Sequence, residues 1–165
     1  MQDYDRAAQH SAPSPASRHP GYPMSISARD LARIGLLMLR GGVWDGKSLL
    51  DANWIRYMTT IVTPFSQMYP TPLREPGLAD RWGYGALWWV WDAPVYPGPV
   101  YAGPYQGAYT ARGTGGQFVT VLPFSDMVIV HTVDIDKNPK AEVSGENESA
   151  IRNMVLASTC DGPCK

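Results

Sequence analysis

Ala111-Arg112-Gly113-Thr114-Gly115-Gly116-Gln117 is a glycine-punctuated turn, and the residues after it read as a hairpin: Phe118 to Leu122, a Pro123-Phe124-Ser125-Asp126 turn, then Met127 to Val133. Two apolar, β-branched runs separated by a proline-led polar turn are the pattern of paired antiparallel strands. Glycines at this density let backbone N–H groups approach a ligand closely, so the start of the hairpin is a candidate oxyanion hole or carboxylate cradle. The same glycines also suit a bulge or a tight lead into a strand, with no ligand involved. A nucleophile motif to match these donors does not occur in the 165 residues: they contain neither Ser-x-x-Lys nor Gly-x-Ser-x-Gly.

Working outward, Gly83 to Trp91 is aromatic and β-prone, with strand expected from Tyr84. A proline-rich loop from Pro94 to Pro104 separates it from a further strand-like run, Gly107 to Arg112. Three or four antiparallel strands are expected. Both alternating faces of Met127 to Val133 are mostly apolar, which suits a strand covered on two sides. Upstream, Ser27-Ala28-Arg29-Asp30 has the form of a capping box, and the helix it opens carries Leu31, Ile34, Leu37 and Met38 on one stripe before Gly41-Gly42 stops it. A second helix is expected from near Asp51, burying Trp54, Ile55 and Met58, ahead of the β-branched run Thr59 to Thr63. Four prolines between Pro64 and Arg81 make that stretch a loop. A last helix is expected over Gly145 to Ser158, with Ile151, Met154 and Val155 on its apolar stripe. Residues 1–23, rich in Ser, Ala, Pro and His, read as an extended arm, and 24–165 as one globular unit.

Composition narrows the class. At 165 residues and 44% hydrophobic, the chain suits a single core. A net charge of −1 with 18% charged residues argues against nucleic acid and against a basic membrane-surface helix, and favours small-molecule partners. The longest apolar runs, such as Ile34 to Leu39, fall short of the ~20 residues needed to span a bilayer, and the acidic start has no signal-peptide pattern. The compartment is left open. Cys160 and Cys164 sit in the last residues, too near the terminus to cross-link the core.

The order helix, helix, strands, helix resembles the C-terminal part of the β-lactamase-related serine hydrolases, nearest the nylon-oligomer hydrolase and esterase branch. The likeness rests on Met24 to Gly35 (MSISARDLARIG), on Tyr84 to Val90 (YGALWWV), and on Ala111 to Gln117 with its hairpin. It implies an α+β architecture: an antiparallel sheet portion flanked by helices, the C-terminal segment of the β-lactamase/transpeptidase-like fold. It also implies acyl transfer by a serine, with a lysine and a tyrosine handling protons and no metal or other cofactor. The family's third motif, Lys-Thr-Gly in the lactamase branch, falls here on Ala111, Arg112 and Gly113, and the residue giving its backbone N–H to the oxyanion falls on Thr114. Arg112, Gly113, Gly115, Gly116 and Gln117 are the implied pocket wall. Losing the lysine and threonine points away from β-lactam recognition and toward esters or amides, although an Arg112 guanidinium suits a carboxylate. The serine and tyrosine motifs of the family precede the Ser27 helix, so the chain is expected to be a C-terminal fragment, its missing N-terminal half a possible partner. The alternative is a non-catalytic ligand- or partner-binding remnant.

Other motifs are weaker. Gly41-Gly42-Val43-Trp44-Asp45-Gly46-Lys47-Ser48 matches a phosphate-loop string, but a helix precedes it and Asp45 puts negative charge into the supposed anion cradle. His131 with Ser125 and Asp134 suggests a triad, yet six extended residues separate Ser125 from His131, about 20 Å, so a packed or hydrogen-bonded strand histidine is expected. His10, His19 and the cysteines lack zinc-ligand spacing. Tyr84, Trp88, Trp89 and Trp91 suit stacking on sugars or bases, but neighbouring Trp88 and Trp89 face opposite sides of a strand, which assigns at least one to the core.

Overall fold

A computed structural model describes residues 3–9, 11, 13, 15, 18, 21, 24–68, 81–92, 104–135 and 137–159 of the chain. The N-cap half of the capping box forms as expected. Helix α1 (Ala28–Leu39) starts at Ser27, whose hydroxyl accepts the Asp30 N–H at 3.1 Å. Asp30 is itself fully buried, and its carboxylate accepts from the Arg33 guanidinium at 2.6 Å and from the Asp3 N–H at 3.0 Å. Gln9 exchanges side-chain hydrogen bonds with the Ser25 backbone, so two residues of the N-terminal stretch clasp the start of α1.

Beyond α1 the phosphate-loop lookalike is a small hairpin. Strands β1 (Val43–Trp44) and β2 (Lys47–Ser48) pair across Asp45-Gly46, both at positive φ (48° and 73°), the backbone that favours a two-residue hairpin turn. No helix follows Lys47 directly, so backbone amides do not converge on a phosphate. Helix α2 (Ala52–Met58) is capped by Asp51, whose carboxylate accepts the Asn53 and Trp54 N–H groups at 2.6 and 3.2 Å. Ile55 is buried as expected, but Trp54 is not: it is 54% exposed and stacks on Tyr57, one turn on, at 5.3 Å. Ile55 and, half-buried, Met58 one turn on face the sheet, and Trp54 lies one step off that line. A short helix α3 (Phe65–Met68) occupies the start of the proline-rich stretch; residues 69–80, most of the second loop (93–103), His10, His19 and the cysteines lie outside the described residues.

The main sheet is a five-stranded antiparallel meander: β3 (Trp82–Tyr84), β4 (Trp89–Trp91), β5 (Tyr109–Gly113), β6 (Gln117–Leu122) and β7 (Met127–His131). The run expected to be one strand, Gly83 to Trp91, is therefore two strands folded on each other, Trp82 opposite Trp91 and Tyr84 opposite Trp89. Gly85 N–H closes the reversal on the Trp88 carbonyl at 2.8 Å, and Leu87 takes a positive φ of 68°. The lack of a Cβ at Gly85 admits the end of α2, since a Cβ there would lie 2.4 Å from the Met58 carbonyl oxygen. The β6–β7 hairpin turns at Pro123–Ser125, and counting outward from it sets the register, Leu122 opposite Met127 and Phe118 opposite His131.

Alternation along the strands gives the sheet two different faces. Val90, Tyr109 and Val121 join Met38 of α1 and Ile55 of α2 in one buried cluster. On the other face Trp82, Trp91, Leu122, Tyr105 and Ala108 pack with Leu156 of α4 (Gly145–Thr159). Helix α4 exists where expected, but its buried side is not the apolar stripe. Ile151 and Met154 are 36% and 66% exposed, while Glu148, Ser149, Arg152 and Leu156 are buried. The Arg152 guanidinium pairs with Glu148 one turn back, donates from Nε to the Tyr105 hydroxyl at 3.1 Å, and lies over the Trp82 and Tyr105 rings at 5.4 and 5.2 Å. An ion pair that closes its own charge and rests on aromatic faces satisfies burial, which an apolar count does not register.

Candidate functional site

The glycine turn is the closed end of the β5–β6 hairpin, where Gly113 lies opposite Gln117. Gly113 and Thr114 are exposed, whereas Gly115 and Gly116 are buried at φ +80° and +104°. Both buried glycines are required sterically as well as conformationally. A Cβ on Gly115 would lie 2.6 Å from the Ile135 side chain, and one on Gly116 would lie 2.9 Å from Val143. The segment after β7 thus folds back over the turn, and the Val143 N–H donates to the Gly115 carbonyl at 3.3 Å.

The side chains on either side of the turn point into the protein's own framework. The Arg112 guanidinium lies between two indoles, 5.1 Å from the Trp82 ring and 5.0 Å from Trp89, close to Gly145 at the start of α4. Gln117 closes both ends of its carboxamide on one residue: Nε2 donates to the Val133 carbonyl at 2.6 Å and Oε1 accepts the Val133 N–H at 3.2 Å. That bracket prolongs the β6–β7 pairing beyond His131. Of the residues singled out from sequence, the exposed backbone at Gly113 and Thr114 is the part presented to solvent, while Gly115 and Gly116 shape it from beneath.

Sequence reasoning missed Val133, Ile135 and Val143, which hold this turn; it expected a packed or hydrogen-bonded His131 but not its partner. His131 is a hydrogen-bonded strand residue, Nδ1 lying 2.7 Å from the Gly116 carbonyl, with its ring 6.3 Å from Phe118. Counting the hairpin register outward from Pro123–Ser125 was the available signal, since it sets His131 opposite Phe118 next to the turn. Trp88 and Trp89 do separate as alternation requires: Trp88 packs edge-on against Tyr109, while Trp89 lies beneath Arg112.

Electrostatics near the hairpin are modest. Burial pushes the Tyr109 phenol up to about 12, which keeps it protonated through the neutral range. At the far end of the hairpin the hydrogen bond from Arg40 lowers the Asp126 carboxyl, and this exposed pair ties the end of α1 to the β6–β7 turn. A shallow, open groove of about 370 Å³ lies elsewhere, between α1 and the β1–β2 hairpin, lined by Leu36, Arg40, Val43, Trp44 and Asp45. None of its lining residues belongs to the five-stranded sheet, so the groove and the glycine turn are separate features.

Comparison with known proteins agrees with this architecture. A Bacillus anthracis protein provisionally assigned as a 6-aminohexanoate-dimer hydrolase superposes with a TM-score of 0.52 and 26% identity, over 84% of this chain and 29% of its own. An uncharacterized protein of Alkalihalophilus pseudofirmus is 24% identical over 119 residues, 71% of this chain and 32% of that protein. No family profile matches the chain. The chain spans roughly a third of the length of the proteins it resembles, 32% and 29% in these two cases. The class defined by sheet and likeness is an α+β chain with a β-lactamase-like hydrolase fold. Within that class, the Bacillus anthracis neighbour is provisionally assigned as a hydrolase of the nylon-oligomer type.

Proposed function

We propose that the chain is the C-terminal part of a serine hydrolase acting on a small ester, amide or β-lactam-like substrate, and that its glycine turn supplies the oxyanion donor. The observation that carries this reading is the likeness, over 84% of the chain, to the Bacillus anthracis protein provisionally assigned as a 6-aminohexanoate-dimer hydrolase. In this reading a serine outside these residues attacks the substrate carbonyl, and the tetrahedral oxygen takes the Thr114 main-chain N–H. A donor built into a packed hairpin needs no reorganisation when charge develops, which is the source of its catalytic value. Gly113, Gly115 and Gly116 form the wall through backbone. Arg112 and Gln117 support it by their hold on Trp82, Trp89 and Val133.

The test joins this chain to a half bearing Ser-x-x-Lys and compares two substitutions. Thr114→Ala retains the N–H and most of the activity; Thr114→Pro removes it and lowers turnover by about 10²–10³. Circular dichroism and substrate binding establish that both variants fold before rates are compared. Equal rates in folded Ala and Pro variants rule the donor out, and a large loss in Ala alone shifts the role to the hydroxyl. A second reading, a non-catalytic ligand- or partner-binding form of the fold, is favoured by one observation: no Ser-x-x-Lys occurs in the 165 residues. Ester turnover by the joined protein, with a serine-reactive phosphonate labelling its Ser-x-x-Lys serine, excludes that reading; labelling and turnover by the purified 165-residue chain alone would overturn both.

A further inference from the structure

We infer that His131 is a positioning residue for the glycine turn: its Nδ1–H holds the Gly116 carbonyl and so fixes the backbone that presents Thr114. The inference rests on the reading of the turn as an oxyanion donor. Glycines are the residues least able to hold their own conformation, because no Cβ restricts φ. A donor presented by a turn whose next residues are Gly115 and Gly116 at φ +80° and +104° must therefore be set by their neighbours. Ile135 and Val143 fill the space beneath the turn and the Val143 N–H holds the Gly115 carbonyl, which leaves the next peptide plane, from Gly116 to Gln117, free to rock. A directional bond removes that freedom. His131 Nδ1 lies 2.7 Å from the Gly116 carbonyl oxygen. A carbonyl accepts and cannot donate, so the proton sits on Nδ1. Because the peptide group is planar, holding the Gly116 carbonyl also orients the Gln117 N–H. Gln117 is bracketed in turn by Val133, just beyond β7, so the turn is anchored to that side of the hairpin by two side chains.

Two substitutions separate the donor from the ring. Asparagine places an amide N–H near the position of Nδ1 but loses the ring, whereas phenylalanine keeps the ring against Phe118 and loses the donor. The experiment uses the full 165-residue chain labelled with ¹⁵N. The wild-type ring spectrum should show His131 protonated on Nδ1. Amide exchange at Gly115, Gly116 and Gln117 should be about five- to ten-fold faster in His131→Phe, the effect of one lost hydrogen bond, and close to wild type in His131→Asn. An Nε2-protonated ring, the reverse order of the two variants, or exchange unchanged in both overturns the inference.

Acetate serves as the oxyanion probe. It should move the Thr114 amide resonance in wild type and His131→Asn and bind more weakly to His131→Phe. If acetate leaves Thr114 unmoved in wild type while the exchange order holds, the positioning role stands and the oxyanion reading fails. Where acetate does move Thr114 in wild type, equal binding in all three proteins removes His131 from any influence on the donor and overturns the inference.

Discussion

The α1 face of the sheet and the α4 face bury their side chains by different means. On the first, α1 approaches so closely that a Cβ on Gly35 would lie 2.5 Å from Val128 and 3.2 Å from Val119, and the filling is mostly Val, Ile, Met and Tyr. On the second, indole and phenol rings surround a charged pair, Glu148 with Arg152, and Thr110 and Thr120 face each other beneath it at 2.9 Å. The first face depends on volume and the second on pairing. One sheet therefore carries two independent sensitivities, and the glycine turn sits where the strands that join them meet.

Breaking the pair on the α4 face should have the largest effect. Glu148→Ala leaves the Arg152 guanidinium buried without its carboxylate and should cost about 3–5 kcal/mol in urea unfolding. Replacing both, Glu148→Leu with Arg152→Met, should recover most of that loss, because a well-filled apolar pair is near neutral relative to a buried ion pair. A single variant no less stable than wild type would remove the distinction between the faces.

A smaller effect is expected from overfilling the α1 face. Gly35→Ala should cost about 1–3 kcal/mol, since the added methyl meets a stiff β-branched neighbour rather than the end of a flexible chain. Val128→Ala in the same protein makes room, so the double variant should lose less than the sum of the two single changes. Strict additivity in a double-mutant cycle would show that Gly35 and Val128 are not in contact.

The smallest effect sharpens the comparison at alkaline pH. Tyr109 lies on the α1 face, and burial raises its phenol from 10.0 to about 12. A folded-state value above the unfolded one gives a contribution that is fully present below pH 10. It is lost as pH rises toward 12, because the unfolded chain releases the proton first. Denaturation midpoints of wild type and Tyr109→Phe should therefore converge or cross in that window. Parallel midpoints up to pH 12 would mean that the phenol is not shielded as its position indicates.

The difference between the faces also explains which parts were legible beforehand. The α1 face follows period and propensity: Met38 and Ile55 sit on helices whose starts are marked by Ser27 and Asp51, and both positions are buried as expected. The α4 face violates the apolar pattern. Ile151 and Met154 look like a core stripe and face solvent, whereas Glu148 and Arg152 look like a solvated face and are buried. At the site, Arg112 and Gln117 have the chemistry of ligand contacts, and the neighbours they meet, Trp82, Trp89 and Val133, were set by packing that this chemistry does not encode.

By itself the sequence determined the features whose causes lie within a few residues. These are the Ser27 cap on the Asp30 N–H, the Asp51 cap, the turn at Pro123–Ser125 and the α+β order of the elements. Those interactions span one turn of chain, so neighbouring residues suffice to specify them. Tertiary structure decided the fold-back of β3 on β4 over Gly85, the burial of Glu148 with Arg152, the outward stacking of Trp54 and Tyr57, and the bond from His131 to Gly116. With the exception of the Trp54–Tyr57 stack, each depends on a partner distant in sequence: the Met58 carbonyl, the Thr120 side chain, or the turn across the sheet. Even that stack is turned outward by how α2 meets the sheet, a matter of packing that no local pattern encodes.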